Sequence, residues 1–403
     1  MLEFQEVSGG ITAPVGFRAG GSHCGIKKNG NPDLALLFSE RPAAIAGMFT
    51  RNIFKSAAVL YSQRIVRYGV ARAVVVNSGN ANAATGARGE RDAEAMAEAA
   101  AESLGISSDQ VAVASTGTIG VLLPIDRIKK GIGELSRRLD AAGGEISAQA
   151  IMTTDTFPKS IAVTVPLSTG KITIGGMAKG AGMICPDMAT MLAFVTTDAA
   201  VELSLLSRAL REAVETTFNS ITVDGDGSTN DTILILANGA SGTPAIDRVS
   251  DDYRLFCSAL EHVCAELAKM LVRDGEGATK LVEVNVGGAE RKMDAEKIAK
   301  TIANSLLVKT AIFGSDANWG RIMAAAGRAG VALDPGRIEI RLGDLLMFEK
   351  GSPVPFDEDR AKRLLSEKEI QLHVNLGMGG ESATVYTCDL TYDYIKINAS
   401  YRT

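Results

Sequence analysis

One stretch of the chain concentrates residue types able to do covalent chemistry. Residues 179–194 read Lys179-Gly180-Ala181-Gly182-Met183-Ile184-Cys185-Pro186-Asp187-Met188-Ala189-Thr190-Met191-Leu192-Ala193-Phe194. A glycine loop with one lysine runs through a proline turn to Thr190, which opens an apolar strand. Two readings stand on composition alone. The plain one is a loop entering a core strand, with Thr190 as an ordinary β-branched residue. The sharper one is a latent N-terminal nucleophile. A threonine hydroxyl at a strained junction attacks the preceding carbonyl, and water cleaves the resulting ester. Ala189 is small enough to leave that carbonyl open. The new α-amine of Thr190, with an ordinary pKa of ~7.7–8.0, then serves as general base for its own hydroxyl.

The other candidates for chemistry are weaker. The three histidines and the absence of a Gly-x-Ser-x-Gly elbow leave little room for Ser-His-Asp catalysis. The five cysteines (Cys24, Cys185, Cys257, Cys264, Cys388) are odd in number and scattered, the pattern of reduced thiols in a cytoplasmic protein. Cys257 and Cys264 flank His262 in a predicted helix, at a spacing that suits core packing better than a metal site. His23-Cys24 is a pair by adjacency only. Gly170-Lys171 is followed by Ile172, so the phosphate loop is missing, and no Gly-x-Gly-x-x-Gly follows an early strand. No metal and no bound cofactor is expected.

The elements that must position this chemistry belong to a chain of 403 residues, 46% hydrophobic and 22% charged, with 42 glycines and a net charge of −5. That length points to two or three domains or one large layered domain. An acidic balance with few aromatics argues against nucleic acid. The acidic start Met1-Leu2-Glu3-Phe4-Gln5-Glu6 does not resemble a leader, and no apolar run nears a membrane span. Strands are predicted at 73–76, 111–114, 161–165, 172–174, 191–195, 232–236 and 281–286, then 338–341, 370–375, 383–388 and 391–398. Helices are predicted near 90–104, 124–140, 203–217, 251–273, 294–304, 318–327 and 357–366. Hairpins mixed with crossovers favour α+β layers over a doubly wound sheet. A weak boundary falls near 280–290.

The segment KGAGMICPDMATMLAF resembles the self-cleavage region of the ornithine acetyltransferase family, the ArgJ proteins of arginine biosynthesis. The likeness covers the whole chain: NSGNANAATG at 77–86, STGTIG at 115–120, IMTTDTFPK at 151–159, VDGDGSTNDT at 223–232, RDGEGATK at 273–280, FGSDANWGRI at 313–322 and INASYRT at 397–403. The resemblance implies an α/β/β/α sandwich of the self-cleaving N-terminal-nucleophile kind, similar to DmpA-like aminopeptidases, with a smaller C-terminal α+β domain. It implies cleavage at Ala189-Thr190 into chains 1–189 and 190–403, the second completing the main domain over about 190–285 and forming the smaller one over about 286–403.

By the same resemblance Thr190 is the nucleophile, Thr116 and Gly117 the oxyanion pair, and Thr153, Lys179, Thr190, Glu276, Asn398 and Thr403 contact substrate. These types suit an amino-acid ligand, with an ammonium for its carboxylate and a carboxylate for its ammonium. The implied reaction moves acetyl from N2-acetyl-L-ornithine to L-glutamate in an α2β2 heterotetramer, with acetyl-CoA as a possible further donor. Asp187 stands where the family usually carries Asn, which bears on the cleavage rate. Gly227 replaces a frequent Thr, and Cys185 lies at a variable position. An aminopeptidase on the related fold and a non-catalytic amino-acid-binding protein are the remaining alternatives.

Overall fold

The computed structural model describes residues 4–185 and 191–400. Its first part runs β1 (Gln5–Glu6), β2 (Phe17–Ser22), β3 (Leu34–Phe49), α1 (Ala57–Tyr68), β4 (Val70–Asn80), α2 (Gly86–Leu104), β5 (Val111–Thr118), α3 (Ile125–Leu135) and α4 (Gly144–Ile151). It continues with β6 (Lys159–Pro166), β7 (Lys171–Lys179), β8 (Leu192–Thr197), α5 (Leu203–Thr216), β9 (Thr232–Ala237) and α6 (Asp251–Arg273). The strands form one sheet in the order β1-β6-β7-β8-β9-β3-β4-β5, with β2 also on β3.

β3 is the seam of this sheet. Its first half pairs with β4 and its second half with β9, and the register breaks between Phe38 and Ala43. Arg41-Pro42 lies in that break, where proline cannot donate to a ladder. The two half-sheets share a core. On β8, Ala193 and Val195 face α5 and α6, while Leu192 and Phe194 pack with residues of β2–β5. On β9, Ile233 and Ile235 divide from Leu234 and Leu236 in the same way. Helices α1–α3 cover the far side of β4 and β5, giving the four layers α/β/β/α. Strands buried on both faces read as unbroken apolar runs, which is why these segments stand out in the sequence.

The second part adds β10 (Leu281–Ala289), α7 (Lys292–Ala303), α8 (Leu306–Phe313), α9 (Trp319–Gly327), β11 (Glu339–Leu342), β12 (Leu345–Glu349), β13 (Ser352–Pro353), α10 (Glu358–Leu365), β14 (Glu369–Asn375), β15 (Glu381–Cys388) and α11 (Tyr392–Ser400). Its sheet has the order β13-β12-β11-β14-β10-β15 and its own core.

Local rules account for many boundaries. Ser250 caps α6, accepting from the Tyr253 N–H, with Asp251 and Asp252 in the first turn. Gly105 closes α2 at φ 64°. One expectation fails: 391–398 is not a strand but helix α11. Its β-favouring Tyr392, Tyr394, Ile395 and Ile397 imitate a strand, whereas Thr391 acts as an N-cap, its hydroxyl accepting from the Tyr394 N–H at 3.3 Å.

Candidate active site

β7 ends at Lys179, and the hairpin register with β6 places that end beside the turn after α4. The Lys179 Nζ donates to Thr153 Oγ1 at 2.7 Å and to Thr116 Oγ1 at 3.2 Å. No carboxylate lies within ion-pair distance of it among the described residues. Burial therefore pushes this ammonium below the ordinary lysine value, against the attraction of Asp155. Two of its three protons are used by the threonines, and the third has no partner among the described residues. Thr116 accepts from the lysine, so its own O–H is left to donate.

A buried ion network holds this arrangement. Asp155 accepts from the Thr153 N–H at 2.8 Å and from the Gly180 N–H at 2.7 Å, fixing the backbone on both sides of the pocket. Lys159 Nζ bridges Asp155 Oδ1 at 2.7 Å and Asp274 Oδ2 at 2.5 Å. Burial alone would raise the Asp155 carboxyl, but Lys179 and Lys159 outweigh it and hold it well below the usual carboxylate range. Asp274 leads directly into Gly275-Glu276. The Glu276 carboxylate accepts from Asn398 Nδ2 of α11 at 2.8 Å.

Two glycines allow the close approaches this geometry needs. A Cβ on Gly182 would stand 2.5 Å from Glu276 Oε2. Gly117 has φ 131°, and a Cβ there would meet Gly79 C at 2.3 Å. On the opposite wall Asn230 Nδ2 donates to the Ala81 and Ser115 carbonyls, both at 2.7 Å. Next to it Asp231 accepts the Met191 N–H on Oδ1 at 3.1 Å, while its buried Oδ2 has no partner among the described residues. Burial pushes this carboxyl well above the usual range. Asp224 accepts from the Met183 and Ile184 N–H groups at 2.7 and 3.0 Å and so fixes the glycine loop, with Met183 at φ 54°.

Thr116, Gly117, Thr153, Lys179, Glu276 and Asn398, spread over more than half the chain, line one pocket together with Ala81, Ser228 and Asn230. Thr190, Ala189, Asp187 and Thr403 lie outside the described residues. The sequence reading missed Asp155, Asp224, Asp231 and Asp274. Asp155 and Lys159 at i,i+4 in a non-helical TTDTFPK stretch were the one available signal. Cys24 and His23 instead surround Asp33, which accepts the Cys24 N–H at 2.6 Å. Cys264 is core of α6, and no metal-ligand cluster occurs among the described residues. A larger groove beside Arg273, Glu283 and Tyr386 has an Arg273–Glu369 pair and a Lys269–Glu266 pair, with Lys269 over the Tyr386 ring, but no buried ion network among the described residues. No helix among the described residues is long and apolar enough to cross a membrane.

The four-layer α/β/β/α scaffold thus brings hydroxyls, a buried ammonium and a carboxylate together at its strand ends. The ArgJ family matches residues 18–403, and the chain belongs to that family. The arginine biosynthesis bifunctional protein ArgJ of Symbiobacterium thermophilum is 54% identical over 399 residues, covering 98% of this chain and 99% of its own. The crystal structure of arginine biosynthesis bifunctional protein ArgJ from Bacillus halodurans is 44% identical with a TM-score of 0.50, over 52% of this chain and 98% of that one. An ornithine acetyltransferase from Mycobacterium tuberculosis, complexed with ornithine, is 43% identical with a TM-score of 0.43, over 46% of this chain and 98% of that one.

Proposed function

We propose that the protein transfers acetyl from N2-acetyl-L-ornithine to L-glutamate, using Thr190 freed by cleavage at Ala189-Thr190. The observation that carries this reading is the convergence of Lys179, Thr116, Gly117, Thr153, Glu276 and Asn398 on one pocket. Its parts match an N-acyl amino acid. The open valence of Lys179 takes the α-carboxylate, Glu276 takes the side-chain ammonium of ornithine, and the Thr116 hydroxyl with Gly117 receives the carbonyl oxygen as it becomes an oxyanion. The Thr190 hydroxyl attacks the acetyl carbon, the ornithine amine leaves with the proton, and the glutamate amine then takes acetyl from the ester.

Cleavage would give chains of 189 and 403 − 189 = 214 residues. In support, the solved Bacillus halodurans chain corresponds to 52% of 403 residues, about 210. That the relatives are bifunctional proteins of arginine biosynthesis favours a second reading in which acetyl-CoA also supplies acetyl. Pairs of cleaved molecules would associate as an α2β2 heterotetramer in the cytoplasm. The deciding assay supplies acetyl-ornithine and glutamate with and without acetyl-CoA. Acetyl-glutamate supports the reading, whereas free acetate would make the protein a hydrolase.

A further inference from the structure

The pocket wall formed by Ser228–Asp231 carries an outward-facing loop. Thr50 Oγ1 donates to the Ser228 carbonyl at 2.7 Å, the Thr50 N–H to the Asp231 carbonyl at 2.9 Å, and the Ser56 N–H to the Thr229 carbonyl at 2.9 Å. The loop Arg51-Asn52-Ile53-Phe54-Lys55 is thus tied at both ends to residues of the site. Asn52 Oδ1 accepts the Phe54 N–H at 2.9 Å, an Asx turn that sets the tip. Ile53 is 93% and Phe54 79% exposed, so the core accounts for neither. Arg51 and Lys55 have no ion pair among the described residues, although the protein is acidic overall. Ala81 and Ile119 line the pocket, and Val121 and Leu122, which follow Ile119 closely in the chain, are exposed apolar residues.

We propose that the 51–55 loop binds the phosphorylated nucleotide end of a coenzyme A thioester whose acetyl group enters the pocket. This deepens the second reading above and rests on it. An exposed ring beside an aliphatic side chain offers a stacking face for a base. An arginine and a lysine with no acidic partner among the described residues suit phosphates, the arginine in bidentate fashion. A second copy of the chain fits less well, because a two-fold contact through this loop would set its own cations against each other. In the step served, the Thr190 oxygen bonds to the thioester carbonyl carbon, the C–S bond breaks, and the hydroxyl proton ends on the departing thiol. The ester formed is the one that glutamate's amine resolves.

The test uses the full-length protein, with Phe54→Ala and the double variant Arg51→Ala/Lys55→Ala. Calorimetry with coenzyme A and with adenosine 3′,5′-bisphosphate is run beside initial rates for acetyl-CoA and for acetyl-ornithine, each with glutamate. The wild type binds coenzyme A, and in the variants its Kd and the KM for acetyl-CoA rise about tenfold or more, in keeping with lost charge-assisted contacts. Acetyl-ornithine rates stay as in the wild type. The proposal is overturned by no coenzyme A binding in the wild type, by unchanged binding in both variants, or by equal loss with both donors. Dissociation of the oligomer by Phe54→Ala in sedimentation would likewise assign the loop to a subunit interface. Absence of acetyl-ornithine exchange in the wild type would refute the transferase reading alone, with calorimetry still deciding the loop.

Discussion

Lys179 in the four-layer part and Lys309 in the C-terminal part are both nearly inaccessible ammoniums, 4% and 2% exposed, and neither has a carboxylate at ion-pair distance among the described residues. Their surroundings differ in one respect. Lys309 Nζ donates to Thr387 Oγ1 at 2.9 Å and to the Cys388 carbonyl at 2.5 Å, with Cys388 Sγ at 3.6 Å, so its valence is filled by the protein. It ties α8 to β15 inside a packed core. Among the described residues Lys179 has two hydroxyl partners, and it lines the pocket. A buried charge costs stability unless its hydrogen bonds are met. The shortfall at Lys179 is the feature that the proposed substrate carboxylate would meet, and it sets this lysine apart from Lys309.

The largest expected effect tests whether the pocket is a catalytic site at all. Thr190→Ala removes the hydroxyl proposed to attack both residue 189 and the acetyl carbon. The protein should migrate as one intact chain in denaturing electrophoresis and show no transfer. Transfer by the uncleaved variant would reduce the contrast to one of binding only.

Lys179→Met comes next. Loss of a charge-assisted contact to the substrate carboxylate should lower kcat/KM by roughly 10- to 100-fold, from ~1.5–3 kcal/mol. Thermal stability should hold or rise, because an ammonium lacking an anion is removed. The pH dependence has a definite sign. The folded state lowers this lysine's pKa, so the folded chain binds fewer protons than the unfolded chain between the lowered value and the ordinary one. Stability therefore rises with pH across that window, and Lys179→Met should abolish the rise. Substrate affinity runs the other way, falling as Lys179 deprotonates.

How much of this was legible in the sequence varied with the physics. β8, β9 and α6 announced themselves, because doubly buried strands and a capped 23-residue helix leave strong local patterns. The pocket residues were found through motif resemblance, and Gly117 and Gly182 are in those motifs for steric reasons. β3 went unrecognised because Arg41-Pro42 interrupts its apolar run. Asp155, Asp231 and Asp274 were invisible, since an isolated acid reads as solvated until the fold buries it. α8 was overlooked: Ser305 caps it, accepting from the Val308 N–H, but its apolar run has no clear helical face.

Glu276→Gln sharpens the comparison from the substrate's other end. The amide still pairs with Asn398 Nδ2 through its carbonyl oxygen, so fold and cleavage should persist. KM for acetyl-ornithine should rise about tenfold, the lower end of a charge-assisted contact. Titration calorimetry with ornithine would show the same loss, and unchanged affinity would remove Glu276 from ligand recognition.

Lys309→Met should leave transfer kinetics at the wild-type level, since Lys309 touches nothing in the pocket. Its cost falls on stability. Thr387 Oγ1 keeps a second bond by donating to the Ala303 carbonyl at 3.1 Å, so the hydroxyl is not orphaned. The Cys388 carbonyl is left without its ammonium donor in a dry core, a loss of about 1–3 kcal/mol. Removing an unpaired buried charge offsets part of that, and the midpoint of thermal unfolding should fall by only a few degrees. A fall in kcat/KM without loss of stability would mean that the C-terminal lysine also acts on the site, and the division between filled and open valence would fail.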